Sequence, residues 1–209
     1  MKPLTFYTNP NSRGRIVRWM LEELNQPYHV ELMHFGGNIK SAEFLALNPM
    51  GKVPAIKHGD TVVTEGAAIC AYLADQFADK DLAPAPDSPE RGTYYRWLFF
   101  AAGPLEMATT AKAYNWRLDS DNCTSAGCGL YNDTLSALEA ALANGPYLCG
   151  EQFTAADVYV GSHISWGMLF GTLEQRPAFT DYVHRLQARK AYTRATELDD
   201  ALAKTMEHQ

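Results

Sequence analysis

Residues 3–33, PLTFYTNPNSRGRIVRWMLEELNQPYHVELM, decide the fold. Pro3 to Tyr7 is short, apolar and aromatic, which predicts a strand. TNPN at 8–11 is turn chemistry. From Ser12 onward, apolar residues fall at Ile16, Val17, Met20, Leu21 and Leu24. That is the stripe of an amphipathic helix, with Ser12 as its expected N-cap and Pro27 beyond its end. Tyr28 to Met33 predicts a second strand. Strand, helix and strand within about 30 residues make a βαβ unit, whose two strands run parallel.

The pattern continues downstream. A loop with Gly36-Gly37 precedes a short helix expected over 41–47. Residues 54–57 and 61–64 predict two further strands, and Gly59-Asp60 between them is a hairpin signal. From Gly66 the helical stripe returns at Ile69, Cys70, Leu73, Ala74 and Phe77. The order is βαβαββα. Residues 79–89, DKDLAPAPDSP, hold three prolines and three aspartates and predict a linker. Beyond them no strand pattern occurs, and helices are expected over 90–116, 130–144, 154–170, 176–189 and 191–206. The fold class is thus α+β in two domains: 1–78, a linker over 79–89, and an all-helical domain over 90–209.

The chain has 209 residues, 46% apolar and 20% charged, with 18 basic and 24 acidic side chains for a net charge of −6. A nucleic-acid partner calls for a basic surplus, which this balance argues against. No apolar run approaches the roughly 18–20 residues that span a bilayer, and the first residues form no signal-peptide apolar region. A cytoplasmic protein with neither nucleic acid nor membrane as partner is expected. The cysteines at 70, 123, 128 and 149 are expected as thiols, although a loop disulfide between Cys123 and Cys128 is open. No CxxC or HExxH occurs, so no metal is expected. Thr154 and Asp157 have capping-box spacing at the start of a helix, which makes Asp157 structural. His163 on that helix reads as a core residue.

Four segments, YTNPNSRGRIVRWMLEEL at 7–24, FLALNPMGKVPAI at 44–56, TEGAAICAYLAD at 64–75 and GEQFTAADV at 150–158, stand in the order and spacing of one family. On them the chain resembles the cytosolic glutathione transferases, a bacterial member most closely, over nearly its whole length. The resemblance implies a thioredoxin-like glutathione-binding N-terminal domain and a helical domain with the electrophile pocket. It implies a cis Val53-Pro54 bond, with Val53 N–H and C=O pairing the cysteinyl backbone of glutathione as an added strand would. Lys52 would reach a glutathione carboxylate. Glu65 and Gly66, where a strand ends and the third helix begins, would hold the γ-glutamyl group. The family usually has Ser after the acid, so Gly66 departs from the pattern.

Family members place a Tyr, Ser or Cys where the first strand meets the first helix, to stabilise the glutathione thiolate. Here Ser12 is preferred, with Tyr7 and Asn11 as alternatives and Asn9 sharing the remainder with Asn11; without a Cys, thiol exchange through the enzyme is disfavoured. Met107, Tyr114 and Trp116 are candidates for an apolar electrophile pocket. The implied function is a detoxifying transferase with glutathione as sole co-substrate, and peroxide reduction as a possible side activity. It would be a homodimer acting on a small apolar electrophile. The rival readings are a non-catalytic binding module on the same fold and a glutathione-dependent disulfide oxidoreductase.

Overall fold

The computed structural model describes residues 2–206. These form two compact units, one of residues up to 80 together with those from 188 onward, the other of residues 81–187.

In the first unit the chain runs β1 (Leu4–Thr8), α1 (Gly14–Leu24), β2 (His29–Leu32), α2 (Ala42–Leu47), β3 (Ala55–His58), β4 (Thr61–Thr64) and α3 (Gly66–Gln76). The sheet order is β2-β1-β3-β4. β1 pairs parallel with β2 and antiparallel with β3, and β3 pairs antiparallel with β4. Both the expected βαβ unit and the hairpin at Gly59-Asp60 are therefore present. Period-2 alternation sorts β1 into two faces. Leu4, Phe6 and Thr8 are buried with Ile56, Ile16, Val17, Met20, Ile69 and Leu73. Tyr7 points the other way, into a smaller cluster of Met33, Ile39, Phe44 and Ala55.

The last helix, α9 (Lys190–Met206), belongs to this first unit. It was expected within a helical domain over 90–209. It instead lies along α1, because polar groups on both helices find buried partners there. Arg18, 4% exposed, donates from Nε to Asp199 Oδ1 at 3.0 Å, and Asp199 is 1% exposed. Arg189 makes a two-pronged bond to Glu23 at 2.7 and 2.8 Å. Trp19 meets Tyr192 edge-on at 5.0 Å.

The second unit is helical: α4 (Glu90–Phe100), α5 (Glu106–Tyr114), α6 (Tyr131–Leu142), α7 (Ala155–Leu169) and α8 (Pro177–Gln187). The single helix expected over 90–116 is divided by a π-helical segment at Ala101–Leu105 that contains Pro104. Proline has no N–H for the ladder and its ring crowds the preceding turn, which the wider π turn accommodates. α7 is buried nearly all round. Gly161 permits its close crossing with α8, since a Cβ there would stand 2.1 Å from Leu186 Cδ1. Asp157, fully buried, accepts from Leu148 N, Thr154 N and Tyr182 Oη at 2.8–2.9 Å, the structural role its spacing predicts. Burial raises the pKa of Asp157 and the bonds it accepts oppose that rise. The Pro-rich segment is fastened to this unit: Leu82 O accepts from Ala155 N at 2.7 Å and Pro84 O from Arg91 Nη1 at 2.8 Å. All four cysteines are free thiols.

Candidate functional site

The sheet register gathers the N-terminal motif residues at one end. Tyr7 stands opposite Ala55, and Ala55 opposite Thr64. The last residues of β1 and β4 and the first of β3 therefore lie in one row across three strands. At about 4.8 Å between strands, the loops leaving that row emerge within roughly 10 Å of one another. These loops carry Ser12, Val53-Pro54 and Glu65-Gly66, segments distant in sequence.

The loop from β1 to α1 is built around Asn9, which is 1% exposed. Its Nδ2 donates to Met33 O at 2.7 Å, and its Oδ1 accepts from Asn11 N at 2.9 Å. Its carbonyl accepts from Ser12 Oγ at 2.6 Å. Ser12 Oγ in turn accepts from Gly14 N at 2.9 Å. Ser12 is thus not the N-cap: α1 begins at Gly14 with Arg13 at the cap position and no side-chain cap. The Ser12 hydroxyl tightens the preceding turn instead. Gly14 is required at this point, because a Cβ would lie 2.0 Å from Thr8 Oγ1. The sequence offers Asn9 only as a minor candidate for the thiolate, not as the residue that shapes the loop. The TNPN turn gives the only hint, since a short amide side chain in a turn favours bonds to nearby backbone.

Val53-Pro54 is cis, as expected. Among the described residues Val53 N–H and C=O take no hydrogen-bond partner. Asn48, buried, supports the approach to it. Its Nδ2 donates to Lys52 O at 2.8 Å and its Oδ1 accepts from Met50 N at 3.1 Å. Asn48 is a second residue missed in the sequence, where only the Asn-Pro turn signal marks it. The Lys52 side chain is exposed.

Glu65 is exposed and occupies the N-cap of α3 with φ 66° and ψ 118°. That conformation is unfavourable for a residue with a Cβ, costing about 1–3 kcal/mol, and such outliers cluster at ligand clamps. Its carbonyl accepts from Ile69 N at 2.9 Å, and no side chain caps the helix. The first N–H groups of α3, from Gly66, therefore point out of the helix end with its partial positive charge.

The alternatives to Ser12 are placed differently. Tyr7 packs against Phe44 with ring centroids 5.6 Å apart. Its pKa is raised, mainly by burial and then by the Glu31 charge, the direction opposite to activation. Asn11 is exposed and linked to the loop through its backbone. Met107, Tyr114 and Trp116 belong to the second unit. Met107 is half-buried, while Tyr114 and Trp116 are 71% and 55% exposed and stack at 6.2 Å with 26° between planes. The stack follows from the helix end. Asn115 takes a left-handed conformation and Trp116 N donates to Ala111 O at 2.9 Å, which folds the chain back over α5. Among the described residues no group of three or more His, Cys, Asp or Glu side chains could hold a metal.

Likenesses to known proteins extend over both units. Residues 12–76 match the family model for the glutathione S-transferase N-terminal domain, and 121–193 that for the C-terminal domain. Glutathione S-transferase A of Pleuronectes platessa is 31% identical over 180 residues, covering 81% of this chain and 80% of that protein. A glutathione transferase structure from Methylococcus capsulatus superposes with a TM-score of 0.78 at 27% identity, covering 95% of this chain and 99% of that one. The glutathione transferase URE2P6 of Phanerochaete chrysosporium, solved with oxidized glutathione, gives a TM-score of 0.78 at 27% identity, covering 96% and 97%. These relatives come from a fish, a bacterium and a fungus, so they establish the family and not a bacterial branch of it. With its thioredoxin-like sheet, its helical second unit and these likenesses together, the chain belongs to the glutathione S-transferase family.

Proposed function

We propose that the chain activates glutathione at the end of the β1-β3-β4 row for attack on an apolar electrophile. The observation that carries this reading is the unpaired Val53 backbone at that end, beside the strained Glu65 and the uncapped start of α3. An extended cysteinyl backbone pairs with Val53 N–H and C=O. The γ-glutamyl carboxylate sits on the α3 N–H groups, its ammonium on Glu65, and Lys52 meets the second carboxylate. Gly66 keeps the backbone donor and forgoes a hydroxyl contact, which lowers glutathione affinity. Ser12 donates to the thiolate. The sulfur then bonds to the electrophilic carbon and the leaving group departs with the electron pair.

Met107, Tyr114 and Trp116 supply the apolar and aromatic surface for that electrophile. Hydroperoxide reduction is the second use of the same thiolate. The proposed assembly is a homodimer, supported by apolar side chains left on the surface: Tyr95 and Phe99, one turn apart on α4, are 42% and 73% exposed. A cytoplasmic setting and a bacterial branch complete the reading, the latter supported by the Methylococcus likeness.

The test is retention on immobilised glutathione with elution by free glutathione, followed by turnover of an aryl halide, cumene hydroperoxide and a mixed disulfide. Retention with aryl halide or hydroperoxide turnover is expected. Retention without turnover makes the chain a binding module, and turnover of the disulfide alone makes it an oxidoreductase.

A further inference from the structure

The far end of the first unit carries a separate groove, open to solvent. It has a volume of about 500 Å³ and lies between the second half of α1, the start of β2 and α9. A second groove of about 580 Å³ shares Glu22, Asn25 and Arg194 with it, so the two adjoin. Helical spacing explains the gathering. Arg18, Leu21, Glu22 and Asn25 fall on one face of α1, and Arg194 and Leu198 fall one turn apart on α9. From the start of α1 to its last residue is about 16 Å at 1.5 Å per residue, and β2 starts at the opposite end of the sheet from the Val53 loop.

The chemistry of the lining is specific. Leu21, Pro27, Val30 and Leu198 give the first groove an apolar wall. The two grooves bring together Arg18, Arg189, Lys190 and Arg194 against Glu22 and Glu23, with Asp199 paired to Arg18 behind them, which leaves a surplus of one positive charge in a chain whose net charge is −6. Both glutamates are already satisfied. Glu22 accepts from Tyr28 Oη at 2.5 Å and from Arg194 Nε at 2.7 Å. Glu23 accepts from Trp19 Nε1 and from both prongs of Arg189. Arg18 is buried, its Nε committed to Asp199 and its Nη1 to Tyr28 Oη at 2.9 Å. Its guanidinium is fixed over the Phe6 and Tyr28 rings at 5.2 and 5.5 Å. Its Nη2 donates to no protein group among the described residues, and neither does the terminal fork of Arg194.

We propose that this groove is a second ligand site, for a small carboxylate with an apolar tail. The carboxylate takes the remaining donors of Arg18 and Arg194, and the tail lies on Pro27, Val30 and Leu198. A volume of this size suits a small organic molecule. The site does not depend on the glutathione reading, because it shares no residue with the Ser12, Val53 and Glu65 loops.

The experiment follows amide shifts of the ¹⁵N-labelled full chain, with glutathione present, during titration with octanoate, octanamide and octylammonium. Octanoate is expected to shift amides over 25–30 and 194–198. Octanamide and octylammonium should bind about tenfold more weakly or not at all, since each lacks the anion that the two arginines recognise. Arg194→Ala should weaken octanoate about tenfold and leave octanamide unchanged. Leu198→Trp, which fills the apolar wall, should remove binding of both. Equal binding of octanoate and octanamide overturns the proposal, as do shifts centred on 52–66 or no shift at millimolar octanoate.

Discussion

Replacing Ser12 by Ala tests the chemistry at one atom. The Ser12 hydroxyl has a single proton, which Asn9 O holds at 2.6 Å in this structure. Donation to a thiolate means leaving that carbonyl. A neutral hydrogen bond worth about 0.5–1.5 kcal/mol is exchanged for one to a charged group worth about 1.5–3 kcal/mol. The net gain is about 1–1.5 kcal/mol, or close to one pKa unit at about 1.36 kcal/mol per unit. Ser12→Ala should therefore raise the pKa of bound glutathione by about one unit. Below that pKa the thiolate fraction falls about tenfold, and the greater nucleophilicity of the more basic sulfur recovers about threefold. The conjugation rate should drop about threefold at low pH, and the difference should reverse to about a threefold gain once both thiols are ionised. The assay is thiolate ultraviolet absorbance against pH in the binary complex, with rates taken over the same range. An unmoved midpoint, or a rate deficit equal at every pH, refutes the reasoning.

Tyr7→Phe should leave that titration unchanged, because the ring is a packing element against Phe44; a shift comparable with that of Ser12→Ala would transfer the role to Tyr7. Asp157→Ala should lower the unfolding free energy by about 3–5 kcal/mol in denaturant titration, since it strands two buried N–H groups and the Tyr182 hydroxyl. A loss below about 1 kcal/mol would contradict that. Asp199→Ala leaves the buried Arg18 charge without its carboxylate and should cost about 3–5 kcal/mol in the same measurement. Thiol titration of the native chain near pH 8 should modify Cys123 first and spare Cys70 and Cys149. Burial raises their thiols to about 12 and about 11, so the thiolate is scarce until far higher pH. Early modification of Cys70 would refute it.

Much of this fold is legible in the sequence because its signals are local. The stripe Ile16-Val17-Met20-Leu21-Leu24 and the alternation in β1 each bury one face, and burial enforces the period. The capping pair Thr154 and Asp157 is legible for the same reason, being set by adjacent residues, whereas the cis Val53-Pro54 bond is legible only through the family resemblance. What was misread depends on distant partners. Ser12 has the composition of an N-cap, but Asn9, held by Met33 just beyond β2, draws its hydroxyl back one turn. The break at Ala101–Leu105 was marked by Gly103-Pro104, yet the apolar stripe on either side reads as continuous. Nothing in residues 190–206 reveals that α9 docks on α1, since Arg18 and Asp199 are 181 positions apart. The left-handed Glu65 is invisible in sequence, because the surrounding strand and helix impose it on a residue that disfavours it.

The most direct test of the account is a titration of the ¹⁵N-labelled chain with reduced glutathione. The account predicts amide shifts confined in the first unit to residues 9–14, 52–54 and 65–68. The Val53 amide should move furthest downfield as it gains a hydrogen bond. If glutathione binds while the Val53 and Gly66 amides stay where they are, or if no amide moves at millimolar glutathione, the assignment of this end of the sheet as the glutathione site is contradicted.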